Sequence, residues 1–126
     1  MTHALPDSAI VVRGGRLDPD RLLARAVRDR RDDDVSVLSV WGGVKADDET
    51  VDDVLRRLVE EGPIPHGQLN VTTAGALREA GFELRAAPPP DCHYDLELGT
   101  VVDSNSIDTF VGTFDTVRSN VWRRNA

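Results

Sequence analysis

The chain of 126 residues has little cysteine, few aromatic residues and almost no lysine. Its single cysteine, Cys92, excludes an internal disulfide and favours a reducing compartment. Phe, Trp and Tyr make up only 5% of the residues, so we expect an aliphatic core. Lys45 is the only lysine, and this skew towards arginine is typical of a GC-rich bacterial genome.

Long apolar runs and metal-ligand patterns are also absent. No run approaches the roughly 18 residues of a membrane span, and no charged segment with an apolar core marks a secretory leader. We therefore expect a cytoplasmic protein without a membrane partner. The three histidines and one cysteine are scattered, so the sequence predicts no metal site and names no cofactor.

Positive charge is scarce overall, since the formal net charge is −7 and the isoelectric point is near 4.8. A field of this sign repels nucleic acid and favours basic surfaces, so we expect a protein partner and no nucleic acid. The charge is unevenly distributed, however. Arg13 and Arg16 form a locally basic segment that is compatible with a small anionic ligand.

The length predicts one domain over residues 1–126, with a loose N-terminal arm (1–7) and a C-terminal tail (118–126). Alternating apolar residues predict strands, and apolar residues three and four apart predict helices, in the order β-α-β-α-β-α-β-β-α. We expect an α+β (or α/β) fold with a mixed sheet of about five strands and three to four helices.

The segment Arg13-Gly14-Gly15 follows the first apolar strand. A guanidinium at a strand end, beside backbone N–H groups freed by two glycines, can bind a phosphate or carboxylate. The alternative is a tight turn with a surface arginine. The segment has neither the longer glycine pattern of a dinucleotide site nor a phosphate-loop lysine.

Three further polar residues are ligand-binding candidates. Ser39 lies among apolar residues of the second strand, where a hydrogen bond to the backbone is the simpler explanation. Thr72 and Thr73 precede a short helix, whose free N–H groups attract anions, although a helix cap needs no ligand.

His93 and Tyr94 begin a strand just after a run of three prolines. An imidazole at this position can act as a general acid or base, so His93 is the catalytic candidate, with Tyr94 as a ligand-binding neighbour. The alternative is a histidine that is hydrogen-bonded to a nearby loop carbonyl.

Several short motifs resemble those of small, uncharacterised proteins from actinobacteria. They are Val12-Arg13-Gly14-Gly15, Ser39-Val40-Trp41, Val71-Thr72-Thr73-Ala74-Gly75-Ala76-Leu77-Arg78, Ala80-Gly81-Phe82-Glu83-Leu84 and His93-Tyr94. The resemblance covers about residues 10 to 98, and it implies one intracellular bacterial domain without implying a mechanism.

Two functions follow as hypotheses. The first is a small bacterial cytoplasmic binding or accessory protein, which by analogy would act in a defence or toxin–antitoxin context. The second is a small enzyme acting on a nucleotide, RNA or a nicotinamide cofactor. In the enzyme, Arg13 would hold an anion, Ser39 and Thr73 would position it, and His93 would transfer a proton. Convergence of these four side chains on one pocket would favour the second hypothesis.

Overall fold

The computed structural model describes residues 5–123. Strands and helices alternate along this part of the chain, except that β4 is followed directly by β5. They are β1 Ile10–Gly14, α1 Pro19–Arg28, β2 Ser36–Gly43, α2 Val51–Glu61, β3 Gln68–Thr73, α3 Ala74–Glu79, β4 Glu83–Ala86, β5 His93–Gly99, α4 Ser104–Thr113 and β6 Thr116–Ser119.

The six strands form one sheet in the order β4-β5-β2-β1-β3-β6, and the fold is α+β. Neighbouring strands are antiparallel throughout the described residues, so the prediction of a mixed sheet is wrong. The prediction assumed that each helix carries the chain across the sheet. Instead, the connection from β1 to β2 begins and ends at the same end of the sheet. The segment 29–35 after α1 has the length needed to bring the chain back.

Both faces of the sheet are covered by helices. On one face Val11, Leu38 and Val40 pack with residues of α1, α3 and α4, around the fully buried Phe110. On the other face Val12 and Leu69 pack with α2. Because side chains of a strand alternate between faces, the consecutive residues Val11 and Val12 belong to different clusters. The strands of the sheet centre are therefore buried on both sides.

Local sequence signals account for the helix starts. The Asp18 side chain accepts hydrogen bonds from the N–H groups of Asp20 and Arg21, and a proline opens α1, as the sequence predicts. Thr50 and Asp53 form a reciprocal capping box at the start of α2. The strands on either side of the proline run, β4 and β5, are antiparallel neighbours.

The described part of the predicted loose arm is anchored to the domain. Leu5 is 6% exposed and belongs to the core, and Arg78 donates a hydrogen bond of 2.8 Å to the Asp7 carboxylate. Residues 5–7 of the predicted arm are therefore in contact with the rest of the domain. Residues 1–4 lie outside the described residues.

The predicted tail contains an element that the sequence did not indicate. Its first two residues belong to β6, which pairs with β3. Beyond the strand, the buried Asn120 side chain donates to the carbonyls of Ile64 and His66, which ties the chain to the loop before β3. Residues 124–126 lie outside the described residues.

Candidate functional site

The candidate site lies where β1 and β2 separate. Their ladder ends at the pair Val12 and Trp41. Beyond that pair, the carbonyl oxygen of Ser39 accepts a hydrogen bond of 2.6 Å from Nη1 of Arg13. An arginine side chain thus satisfies a strand carbonyl, and a gap opens between the two strands.

A partly enclosed cavity of about 210 Å³ occupies this gap. Its wall combines charged groups of α1 with groups from the strands and from the loop before β3. The lining residues are Arg13, Gly14, Arg25, Asp29, Ser39, Trp41 and His66. The cavity is smaller than the ~300–1,000 Å³ of most small-molecule sites, so it suits a small ligand rather than a dinucleotide.

The guanidinium of Arg13 carries a charge that its surroundings do not balance. Burial, together with the positive charge of Arg25, lowers the pKa of Arg13 to about 10, and the negative charge of Asp29 opposes this effect to a smaller extent. Within residues 5–123, Arg13 forms no salt bridge. Asp29 instead pairs with Arg25 and Arg28, at 3.1 and 3.2 Å. Arg13 is therefore a partly buried cation without a carboxylate partner in the described chain.

The glycine pair positions Arg13 through close contacts. Gly15 has a φ of +89°, which favours glycine. A Cβ at Gly14 would lie 2.6 Å from Nδ1 of His66 and 2.6 Å from Cγ2 of Ile64. The absence of a side chain at Gly14 therefore lets the His66 loop approach the cavity.

Asn70 holds the turn from the other side. Its side-chain amide donates to the carbonyls of Arg13 and Gly15, at 3.0 and 2.6 Å, and the residue is 3% exposed. Sequence reasoning did not single out Asn70. An asparagine between the apolar residues Leu69 and Val71, in a chain whose first strand runs into two glycines, was the available signal.

Of the predicted ligand residues, Arg13, Gly14 and Ser39 line the cavity, and Gly15 lies beside it against His66. Ser39 contacts Arg13 through its backbone carbonyl. The rest of the wall was not predicted and consists of Trp41, His66, Arg25 and Asp29. Arg25 and Asp29 have the spacing of a helical ion pair, but spacing alone does not show that the pair faces Arg13.

Thr72 and Thr73 do not join this site. Thr73 is aligned with Ile10 and Thr72 with Val11, whereas Arg13 is aligned with Asn70 further along the same pair of strands. The Thr73 hydroxyl accepts from the N–H of Ala76 at 3.2 Å and caps α3. The two threonines therefore lie towards the opposite end of β1 from Arg13.

His93 and Tyr94 also lie outside the residues that line the cavity. Nδ1 of His93 is 2.7 Å from the carbonyl oxygen of Ala87, and its ring lies 5.5 Å from the Trp41 ring. His93 is therefore behind the aromatic wall and bonded to the loop. Tyr94 packs against the core on the α1 side, where burial raises the pKa of its hydroxyl.

Residues 5–123 contain no group of three His, Cys, Asp or Glu side chains placed to hold a metal ion. None of their helices has the length and apolar character needed to cross a membrane. Cys92 is buried and free, and burial raises the pKa of its thiol.

A wider groove of about 590 Å³ lies between α4 and the end of β5. The charged side chains in its wall are all acidic: Asp103 caps α4, Glu97 is paired with Arg31, and Glu83 is exposed. The groove wall therefore has no cation comparable to Arg13 in the smaller cavity.

Comparison with known proteins gives no relative for this chain: no family model matches it, and no curated protein or solved structure shows significant similarity.

Proposed function

We propose that this chain is a small cytoplasmic binding protein that holds a small anionic ligand in the cavity around Arg13. The observation that carries the proposal is the unbalanced guanidinium of Arg13. Removing a charge from water without pairing it is unfavourable, and a bound anion would offset that cost. A planar guanidinium has several N–H donors, and one Nη group of Arg13 is engaged by Ser39.

The charges around the cavity support an anion rather than a cation. Arg13 and Arg25 contribute two positive charges and Asp29 one negative charge, which leaves one net positive charge at the wall. This local sign is opposite to the net charge of the whole chain. The charge of the whole chain therefore repels an anion, whereas the charge at the cavity wall attracts it.

The alternative of a small enzyme has less support. Only two of its four proposed residues, Arg13 and Ser39, line the cavity, while Thr73 and His93 are engaged elsewhere. The cavity volume also disfavours a nucleotide or a nicotinamide cofactor. The one observation that favours catalysis is the imidazole of His66 at the cavity wall, since histidine is the commonest general base.

A partner protein remains part of the proposal. The net charge of −7 supports an accessory role towards a partner with a basic surface. Co-purification from a bacterial host at low and high salt tests this point. Retention of one basic protein at low salt and its loss at high salt would support it, and the absence of any such protein would contradict it.

The binding proposal is tested by the thermal unfolding of three proteins: the unaltered chain, Arg13→Gln and Arg16→Gln. Arg16 is exposed and close in sequence but does not line the cavity, so its variant is the matched control. Each protein is heated with acetate, benzoate or phosphate, with chloride keeping the ionic strength constant. A ligand at about 100 times its Kd stabilises the folded state by ~2.7 kcal/mol.

We expect at least one of these anions to raise the midpoint of the unaltered chain and of Arg16→Gln, but not that of Arg13→Gln. Equal midpoint shifts in all three proteins would show a general salt effect. No shift in any of them would contradict an anion site.

A further inference from the structure

The anion site has an aromatic wall, and this feature points to the chemistry of the rest of the ligand. Trp41 is part of the cavity wall, and its ring lies 5.5 Å from the ring of His93, tilted by 50°. Trp41 also packs against the core beneath α2, which restricts its movement. An aromatic residue and a guanidinium in the wall of one cavity offer a stacking surface and a charge to the same molecule.

The volume of the cavity agrees with one ring and one small charged group. A dry cavity of about 150 Å³ in another protein accommodates benzene. The cavity beside Arg13 measures about 210 Å³, which leaves space for a carboxylate but not for a sugar and a base.

The net charge distinguishes a carboxylate from a phosphate. One net positive charge at the wall is neutralised by a monoanion, whereas a phosphate dianion would add a negative charge close to Asp29. Arg25 and Arg28 already pair with Asp29, so they are not free to take up that second charge. A carboxylate also fits the planar fork of an arginine.

We propose, on the basis of the function proposed above, that the ligand is a small aromatic monocarboxylate. Its ring lies against Trp41, and its carboxylate accepts hydrogen bonds from Arg13. Arg25 stands at the same wall and adds attraction. Asp29 disfavours ligands with two or more negative charges.

The experiment uses the fluorescence of Trp41. The chain contains two tryptophans, so Trp122→Phe leaves Trp41 as the only reporter. Four probes are titrated at constant ionic strength: benzoate, benzamide, acetate and inorganic phosphate. Benzamide keeps the ring without the charge, and acetate keeps the charge without the ring. Circular dichroism confirms that each variant is folded.

We expect saturable quenching by benzoate, with at least tenfold weaker binding of each of the other three probes. Adding Arg13→Gln to the Trp122→Phe chain should weaken benzoate binding at least tenfold, whereas adding Arg16→Gln should leave it unchanged. Trp41→Leu removes the aromatic side chain but not the charge, so it should reduce the affinity for benzoate to that for acetate. Calorimetry measures both affinities, because this variant lacks the fluorescent reporter.

The outcomes separate this inference from the binding proposal on which it rests. If acetate or phosphate binds as tightly as benzoate in an Arg13-dependent manner, the anion site stands and the aromatic carboxylate is wrong. If benzamide equals benzoate, the charge is irrelevant and both proposals fail. If no probe binds by calorimetry, both fail as well.

Discussion

Replacing Arg13 with glutamine should leave the fold at least as stable as before, although a partly buried hydrogen bond is altered. The lowering of the Arg13 pKa to about 10 means that the folded state disfavours the charged guanidinium by about 3 kcal/mol, at 1.36 kcal/mol per pH unit. The hydrogen bond to the Ser39 carbonyl acts in the opposite direction, and a bond from a charged donor contributes about 1.5–3 kcal/mol. The free energy of unfolding should therefore stay unchanged or rise by up to ~2 kcal/mol.

The pH dependence has a definite sign. Below pH 10 Arg13 is protonated in both the folded and the unfolded chain, so its cost is fully present and constant. As the pH rises through about 10, the folded state loses the proton before the unfolded chain does, and the cost disappears. The difference in stability between the unaltered chain and Arg13→Gln should accordingly be constant between pH 6 and 9.

Arg31 provides the opposite case within the same chain. Its guanidinium pairs with Asp33 and Glu97, and these partners raise its pKa. Arg31→Gln leaves the half-buried Glu97 without that cation, so it should lower the free energy of unfolding by ~1–3 kcal/mol.

Urea denaturation measures the stability of Arg13→Gln and of Arg31→Gln. A third variant, Arg13→Met, tests whether the aliphatic part of the side chain alone keeps the turn packed. A loss above about 1 kcal/mol in both Arg13→Gln and Arg13→Met would refute the reasoning, because it would make Arg13 a structural residue.

Three further substitutions test the core, the turn and the histidine. Leu55 is fully buried on α2, so Leu55→Ala should cost about 2–5 kcal/mol in urea denaturation, and an unchanged midpoint would contradict its place in the core. Asn70→Ala removes the side-chain hydrogen bonds to two carbonyls of the Arg13 turn and should cost ~1–3 kcal/mol. A similar loss in Asn70→Asp would support the role of the amide, and full stability of either variant would contradict it. His93→Gln should show the same anion-induced rise in the thermal unfolding midpoint as the unaltered chain, since His93 lies behind Trp41. Loss of that rise at unchanged stability would show that His93 belongs to the site.

The individual elements could be predicted because their signals are local. Asp18 followed by a proline marks the start of α1, and the apolar spacing of α2 identifies its buried side. The alternation along β2 places Leu38 and Val40 on one face and Trp41 on the other, in agreement with their clusters. Each of these features depends on residues fewer than about ten positions apart.

The direction of the strands and the members of the site depend on distant contacts. The sequence between β1 and β2 does not show that the chain returns to the end from which it left. β6 is short and largely exposed, with Val117 at 59%, so it lacks an alternating apolar pattern. His66 reaches the cavity because Gly14 has no side chain and because Asn120 fixes the loop from 54 residues away. No pattern within one segment contains this information.

The most direct test of the anion site is the side-chain nuclear magnetic resonance signal of Arg13. The Nε–H resonances of the arginines are assigned with Arg13→Gln and Arg16→Gln, and benzoate, acetate and phosphate are then added at constant ionic strength. The account predicts that the Arg13 resonance moves saturably with at least one of these anions, while the Arg16 resonance stays in place. An Arg13 resonance that is unaffected by all three anions, or that moves no more than that of Arg16, would contradict the account.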